Sequence, residues 1–536
     1  MSDVLMPLNL RHARTAVRYL DSSGISRGMF GGQTIVAARG GDRLALTLEM
    51  TKHGGRTTTG LAERAQLRSW LASLRGRQNA VYAQDKSRQR RGTFPTGELL
   101  ANNTFSNGTT GWSIDATSSL SAADRVIRAT YGQGGSENLL FPASAVTVTQ
   151  YAPYVARAMV IAGRGSYTSL GIGIGSTNTG VQYANLASQT PGLLTVAGVP
   201  SGTSAYATVY DGAASGQLAG DYILIPYMSL SRCALVDNGS NLLQRSDEFG
   251  NGFWGTSQMT VSSDADIAPT AAMIADYLRE TNTSSSHFIS NASGITVPSG
   301  AADYSFSVAI QAGNRSWAYI YIAENTGSTT AIAWFNLSTG AIGTVTTGAN
   351  FANARAAITA LGNNWYRCSI TARKTNAATS MSVAIGAATA DNTTSFTGVT
   401  NQVALVVWRA TFAASSAPAR LVQSTSAAVT QQPQTGSALH LKGLPASTSG
   451  LLEIDDQVEV VTGIGSELKI VTARLNSDAS GLGYLQFEPP LRTAPVDNAP
   501  IVVHQPFGRF LFSGDAVGFD NDPGVWTTAS AEFEEA

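Results

Sequence analysis

The chain is poor in cysteine, histidine, charge and long apolar runs. Only Cys233 and Cys368 stand among 536 residues; they cannot staple a disulfide framework, and such scarcity fits folding in a reducing compartment. His12, His53, His287, His440 and His504 are scattered without metal-ligand spacing. No apolar run approaches the roughly 18–20 residues that span a bilayer, so membrane insertion is not expected. The opening MSDVLMPLNL lacks the basic-then-apolar pattern of a secretory signal, which predicts synthesis in the cytoplasm. Charged residues are 13% of the chain and the formal net charge is −1, which argues against a nucleic-acid partner. Catalytic signatures are missing too. There is no HExxH and no GxSxG. GIGIG at Gly171–Gly175 has the wrong spacing for a dinucleotide fingerprint and sits mid-strand. Glycoside hydrolysis needs two carboxylates across a cleft, and acidic residues are sparse in the middle of the chain. No enzyme and no cofactor are expected.

What is abundant is small. Glycine alone counts 54, and Ser, Thr and Ala surround β-branched runs, the composition of short strands and tight turns. One sentence is written twice. Leu99-Leu100, Phe105-Ser106-Asn107-Gly108 and Trp112 are matched by Leu242-Leu243, Phe249-Gly250-Asn251-Gly252 and Trp254. Further on, Ala162-Gly163 matches Ala312-Gly313, with Arg164 and Arg315 just behind, and YANL (Tyr183–Leu186) echoes WFNL (Trp334–Leu337). The period of about 150 residues is that of a domain rather than a solenoid. Module one is placed at 97–237 and module two at 240–428.

The flanks read differently. In residues 1–95, Ala45–Thr51 alternates as a half-buried strand does. Leu67, Trp70, Leu71 and Leu74 form one apolar stripe of a helix over Leu61–Leu74, with Gly76 where a cap belongs. Asn79–Gln84 reads as a strand. In residues 438–536, Leu452–Val460 places Ile454, Val458 and Val460 on one side, and Pro489-Pro490 is expected to stop the strand beginning at Tyr484. Gly92–Glu98 and Thr430–Ser437 carry boundary signatures. The first flank holds sixteen Lys and Arg against six Asp and Glu, the last five against fourteen, which reads either as two solvated faces or as ends, or neighbouring copies, that meet through complementary fields. Neither flank suffices alone. Together they make one α+β base domain of about 190 residues, with the repeats inserted in a loop that tolerates them. The expected fold is mainly β: a split base, a β-barrel-like sheet plus one helix, with two inserted jelly-roll β-sandwich modules.

The flanks resemble bacteriophage minor tail proteins of the distal-tail type. The resemblance rests on LALTLEM, on SWLASLRGR (Ser69–Arg77), on LKIVTARLNSDASGLGYLQFEPPLRTAPVDNAPIVV (Leu468–Val503) and on GRFLF (Gly508–Phe512). Module two is similar to jelly-roll modules of phage tails and to carbohydrate-binding modules, through NLL…DEFGNGFW, AWFNLSTGAIGTV (Ala333–Val345) and NNWYRCSIT (Asn363–Thr371). Module one lacks the WYRC run. The resemblance implies a structural virion protein at a siphophage tail tip, forming a ring homo-oligomer, hexamer favoured over trimer. Its partners would be the tail tube, tail-tip hub proteins and a host-surface glycan. A tail-associated polysaccharide depolymerase and a purely architectural decoration with no ligand are the alternatives.

The candidate site is the strand beginning at Trp317. Side chains alternate across a strand, so Ala318, Ile320 and Ile322 face the core, and Trp317, Tyr319 and Tyr321 the other side. Their spacing of about 7 Å per step suits sugar rings, whose C–H faces stack on aromatics. Module one has only Tyr167 at the matching place, so any glycan is assigned to module two. Trp112 and Trp254 read as plugs under their sandwiches, and Trp334, Trp365 and Tyr366 as packing. Jelly rolls of this kind often hold a structural calcium, for which Asp247 and Glu248 are the candidates.

Overall fold

In the computed structural model the chain is all-β among the described residues. The structure describes only the strands of residues 1–89 and 513–536, and nearly all of 90–512, apart from 96, 124, 133–136, 161, 165–169, 177–180, 186–191, 212–217, 325–328, 431 and 463–464. The helix expected over Leu61–Leu74 lies outside the described residues, so the described part of the base is strands alone.

The two ends of the chain meet in one sheet. Its order is Val4–Leu5, Ala80–Ala83, Gly508–Phe512, Trp526–Glu535, Arg43–Gly54 and His12–Leu20. Tyr82 lies opposite Arg509, and Leu48 opposite Ala531. Beside it stands a small closed barrel. The strands Gly436–Lys442, Gly483–Leu491, Gly465–Val471, Gln457–Thr462 and Pro500–Val502 pair in that order, and both ends of the series pair with the last residues of Tyr227–Val236. Closure leaves no edge to be extended. Leu439, Val458, Val460, Phe487 and Ile501 fill the interior.

Three local expectations change here. Gly92–Glu98, a boundary by composition, is a packed strap: Phe94 is 1% exposed within the barrel core, and its N–H donates to Leu451 O at 2.9 Å. The strand Gly483–Leu491 runs through Pro489-Pro490 rather than stopping before them. The prolines fall where the ladder skips, between the pairs Ala438↔Gln486 and Gly436↔Leu491, so no ladder bond asks for their missing N–H. Ile454 is 59% exposed in the turn before the strand, while Val458 and Val460 face the core.

The repeats are two jelly rolls with the same strand order. In module one, one sheet runs Val181–Asn185, Leu170–Gly175, Ser204–Asp211, Glu137–Pro142, Trp112–Ser113. In module two the counterpart runs Thr330–Asn336, Trp317–Glu324, Ser380–Ala388, Phe288–Asn291, Trp254–Ser257. The facing sheets match likewise. Module one has Ser119–Ala123, Val126–Thr130, then Tyr222–Ile225 with Tyr227–Val236, then Tyr154–Val160 with Ala162–Arg164, then Gly192–Gly198. Module two has Met259–Ile267, Met273–Glu280, Val403–Ala413, Ala302–Ala312, Trp365–Lys374. Module two adds Ala341–Thr347 and Phe351–Gly362, one at the edge of each sheet.

The repeated words have repeated jobs. Trp112 Nε1 donates to Asn102 O at 3.2 Å, and Trp254 Nε1 to Arg245 O at 2.9 Å. Asn102 and Arg245 both sit at positive φ, 55° and 52°, where the turned backbone aims its carbonyl at the indole. Phe105 and Phe249 pack on these indoles at 5.3 and 5.0 Å. Both tryptophans are buried plugs.

The modules are attached in different ways. Module one shares a strand with the barrel: Tyr227–Val236 pairs with Tyr154–Val160 over its first half and with the barrel over its end. Beneath this join Arg157 and Glu459, both 0% exposed, meet at 2.8 Å. Arg157 also donates to His504 O, Gln505 O and the Tyr227 hydroxyl, and Glu459 accepts from the Phe507 N–H. Module two fills the connection between two neighbouring barrel strands, Tyr227–Val236 and Gly436–Lys442. Its entering and leaving segments are tied by a two-way bridge between Asn241 and Val429. It touches the barrel through side chains, Arg367 to Asp478 at 2.8 Å and Thr359 to Ser480 at 2.5 Å.

Candidate ligand-binding face

The Trp317–Glu324 strand alternates as its sequence does. Ala318, Ile320 and Ile322 are fully buried in the module-two core. Trp317, Tyr319 and Tyr321 lie on the opposite face, in a second apolar cluster with Phe288, Ile332, Trp334 and Ala388. The register sets this out in rows. Tyr319 stands between Gly386 and Trp334, Tyr321 between Ala384 and Ile332, and Trp317 between Ala388 and Asn336.

The three aromatics are not equivalent. Tyr319 is 2% exposed, so its ring cannot stack on a sugar, and this corrects the expectation of a continuous three-ring platform. Two neighbours explain its burial. Any Cβ on Gly386 would collide with the Tyr319 ring, so the tyrosine lies flat across a glycine. Trp334 packs on its other side at 6.2 Å between centroids. Burial, with Tyr321 alongside, pushes the Tyr319 phenol above its usual range. Trp317 and Tyr321 remain partly exposed at the two ends of the row, roughly 13 Å apart at strand spacing. The segment after Ala388 walls the Trp317 end. Trp334 Nε1 donates to Thr393 O at 3.1 Å, and Asp391 accepts from the Thr344 N–H and hydroxyl at 2.8 and 2.9 Å.

Module one carries a comparable pair: Tyr206 and Tyr210, each partly exposed, stand on the outer side of Ser204–Asp211, whose Ala205, Ala207 and Val209 fill the core. Leu170–Gly175 places Gly171 opposite Tyr210, and a Cβ on that glycine would meet the tyrosine ring at 2.6 Å. The tyrosine-over-glycine pair is thus present in both modules with the two strands exchanged. Tyr167 lies outside the described residues.

Asp247 and Glu248 are committed elsewhere. Asp247 takes Arg409 through three hydrogen bonds between 2.8 and 3.2 Å, and Glu248 takes Arg245 at 3.0 and 3.1 Å. Among the described residues no cluster of three His, Cys, Asp or Glu side chains could hold a metal.

Sequence reasoning missed one built cluster beside the face. Arg315 grips Glu280 with two bonds, 2.5 and 2.8 Å, and lies over the Phe396 ring at 4.5 Å; Phe396 in turn stacks on His287 at 4.3 Å. Its signal was in the repeat, since Arg315 follows Ala312-Gly313. Gly313 is required because a Cβ there would lie 2.5 Å from Val403 O. The arginine of WYRC was legible as a motif but not as a contact: Arg367 reaches out of its module to Asp478.

No family model matches the chain, and no curated protein matches it. Among solved structures, the N-terminal CBM22-1-CBM22-2 tandem domain from Paenibacillus barcinonensis Xyn10C is similar over 61% of this chain and 100% of its own. Its identity is 11% and its TM-score 0.20.

Proposed function

We propose that this is a structural, adhesive protein rather than an enzyme: a distal-tail-type subunit of a phage tail tip whose module two binds a host-surface glycan. The observation that carries the glycan reading is the pair Trp317 and Tyr321, partly exposed on the outer face of a jelly roll whose core is already filled from the other side. Aromatic rings left at a surface after the core is complete are what a sugar ring stacks on. The split base, with first and last strands in one sheet, supports the tail-tip reading because it leaves both modules as insertions that a ring can display. A ring of six copies on the tail tube, next to the hub proteins, would multiply weak single sites into useful avidity.

Binding of the purified full chain to host-surface polysaccharides tests the reading, together with its mass in solution. Trp317→Ala and Tyr321→Ala are each expected to weaken binding about tenfold, the effect of losing roughly 1.4 kcal/mol of contact. Light scattering is expected to report closed rings. No binding to any host polysaccharide, or variants that bind as the parent does, would remove the glycan reading. The burial of Tyr319 favours the second reading, an architectural module without ligand, and the same assay separates the two.

A further inference from the structure

A cleft of about 170 Å³ opens where the two modules and the barrel meet. Module one contributes Thr149, Gln150 and Arg232, module two Arg355 and Ser416, and the barrel Ser480. Two guanidinium groups line it, and neither has a carboxylate partner. The Arg232 Nε is buried with no hydrogen-bond partner, and the ionisable groups that act on it are Tyr154 and Cys233 rather than an acid. Arg355 donates to Asn353 O and Ser416 O, and lies 4.5 Å over the Tyr151 ring. The acid nearest in effect is Asp303, which is engaged with Arg373 at 3.2 Å.

Among the described residues, the arginines that are buried as whole residues are paired: Arg157 with Glu459, Arg367 with Asp478. A guanidinium taken from water without a counter-charge is costly, and two in one cleft add their repulsion. The same planar forks are well suited to an oxyanion.

We propose that this junction is an anion-binding site, taking one carboxylate or phosphate group between Arg232 and Arg355. The chemistry serves two sources, the carboxylate of a sugar acid or a phosphoryl group. Each contributing body supplies part of the cleft, so a bound anion would also fix module two against module one and the barrel. The proposal is independent of the aromatic face and survives its failure.

The test is calorimetry and thermal unfolding of the full chain with inorganic phosphate, glucuronate and glucose at constant ionic strength. Saturable binding of phosphate or glucuronate is expected, with a raised Tm, and none of glucose. Glucuronate alone would assign the cleft to a sugar acid, phosphate alone to a phosphoryl group. Arg232→Gln and Arg355→Gln should each weaken binding at least tenfold. Arg474→Gln, which removes an exposed arginine paired with Glu453 on the barrel, should leave it unchanged. If Arg355→Gln does not fold, Arg232→Gln decides alone, because that side chain holds no ion pair whose loss would unfold the protein. Absence of saturable binding by the parent, or an Arg232→Gln protein that binds as the parent does, overturns the proposal.

Discussion

The two jelly rolls share a strand order and differ in how they are held. Module one is grown into the barrel through Tyr227–Val236, which belongs to both, and its join is sealed by the buried pair Arg157–Glu459. Module two hangs from one barrel hairpin and is steadied by side chains such as Arg367. Duplicating a fold therefore did not duplicate its attachment. The welded copy carries Tyr206 and Tyr210 on its outer sheet, and the suspended copy Trp317, Tyr321 and Phe288 on its own. The suspended copy is also the one with two extra edge strands.

The largest break in this comparison is expected at the weld. Arg157→Leu strands the Glu459 carboxylate in a dry interface, which costs roughly 3–5 kcal/mol; urea denaturation should show a large fall in the midpoint. Arg367→Leu, the corresponding cut at module two, leaves Asp478 with 35% of its side chain exposed, so water takes over and the fall should be much smaller. Equal effects would mean that the two attachments are equivalent. Next in size is Gly313→Ala. Its Cβ meets backbone carbonyls that cannot swing aside, so a loss of about 1–3 kcal/mol is expected, read as earlier unfolding of module two by hydrogen exchange.

The smallest effect is a pH dependence at the weld. Burial pushes the Glu98 carboxyl up to about 7, against the N–H groups of Leu230 and Leu100. A folded pKa above the ordinary 4.5 means that the native state holds this proton longer than the unfolded chain. Its contribution is therefore complete below the lower value and is lost as pH rises through about 7. His504, 3.8 Å from Glu98, is pushed down to about 4 by burial and by Arg157 and Arg90. Its contribution is lost in the other direction, as pH falls below the ordinary 6.5. The two oppose each other at mildly acidic pH, and near neutrality Glu98 acts alone. Glu98→Gln should gain stability relative to the parent as pH is raised from 5 to 8, measured as the difference in urea midpoints; a constant difference would show that Glu98 does not titrate there.

Much of this was legible because strands write their geometry with a period of two. The core-facing set Ala318, Ile320, Ile322 followed from alternation alone, and the Trp112 and Trp254 plugs from their place in a repeated phrase. The buried state of Tyr319 was not legible. It depends on Gly386, 67 residues further along and opposite it in the sheet, and a glycine far off in sequence gives no sign of which ring will lie on it. The partner of Asp247 was not legible for the same reason, since Arg409 reaches it from the far end of the module.

By itself the sequence determined that the chain is β-rich, that one domain occurs twice, and which side of each strand meets a core, because these depend on neighbours along the backbone. Only the tertiary structure decided that the barrel closes on a strand borrowed from module one, that a boundary phrase plugs its interior with Phe94, and that Arg232 and Arg355 face one cleft. Those outcomes depend on pairings between segments tens to hundreds of residues apart, and such pairings are chosen by packing of the whole, which no local pattern records.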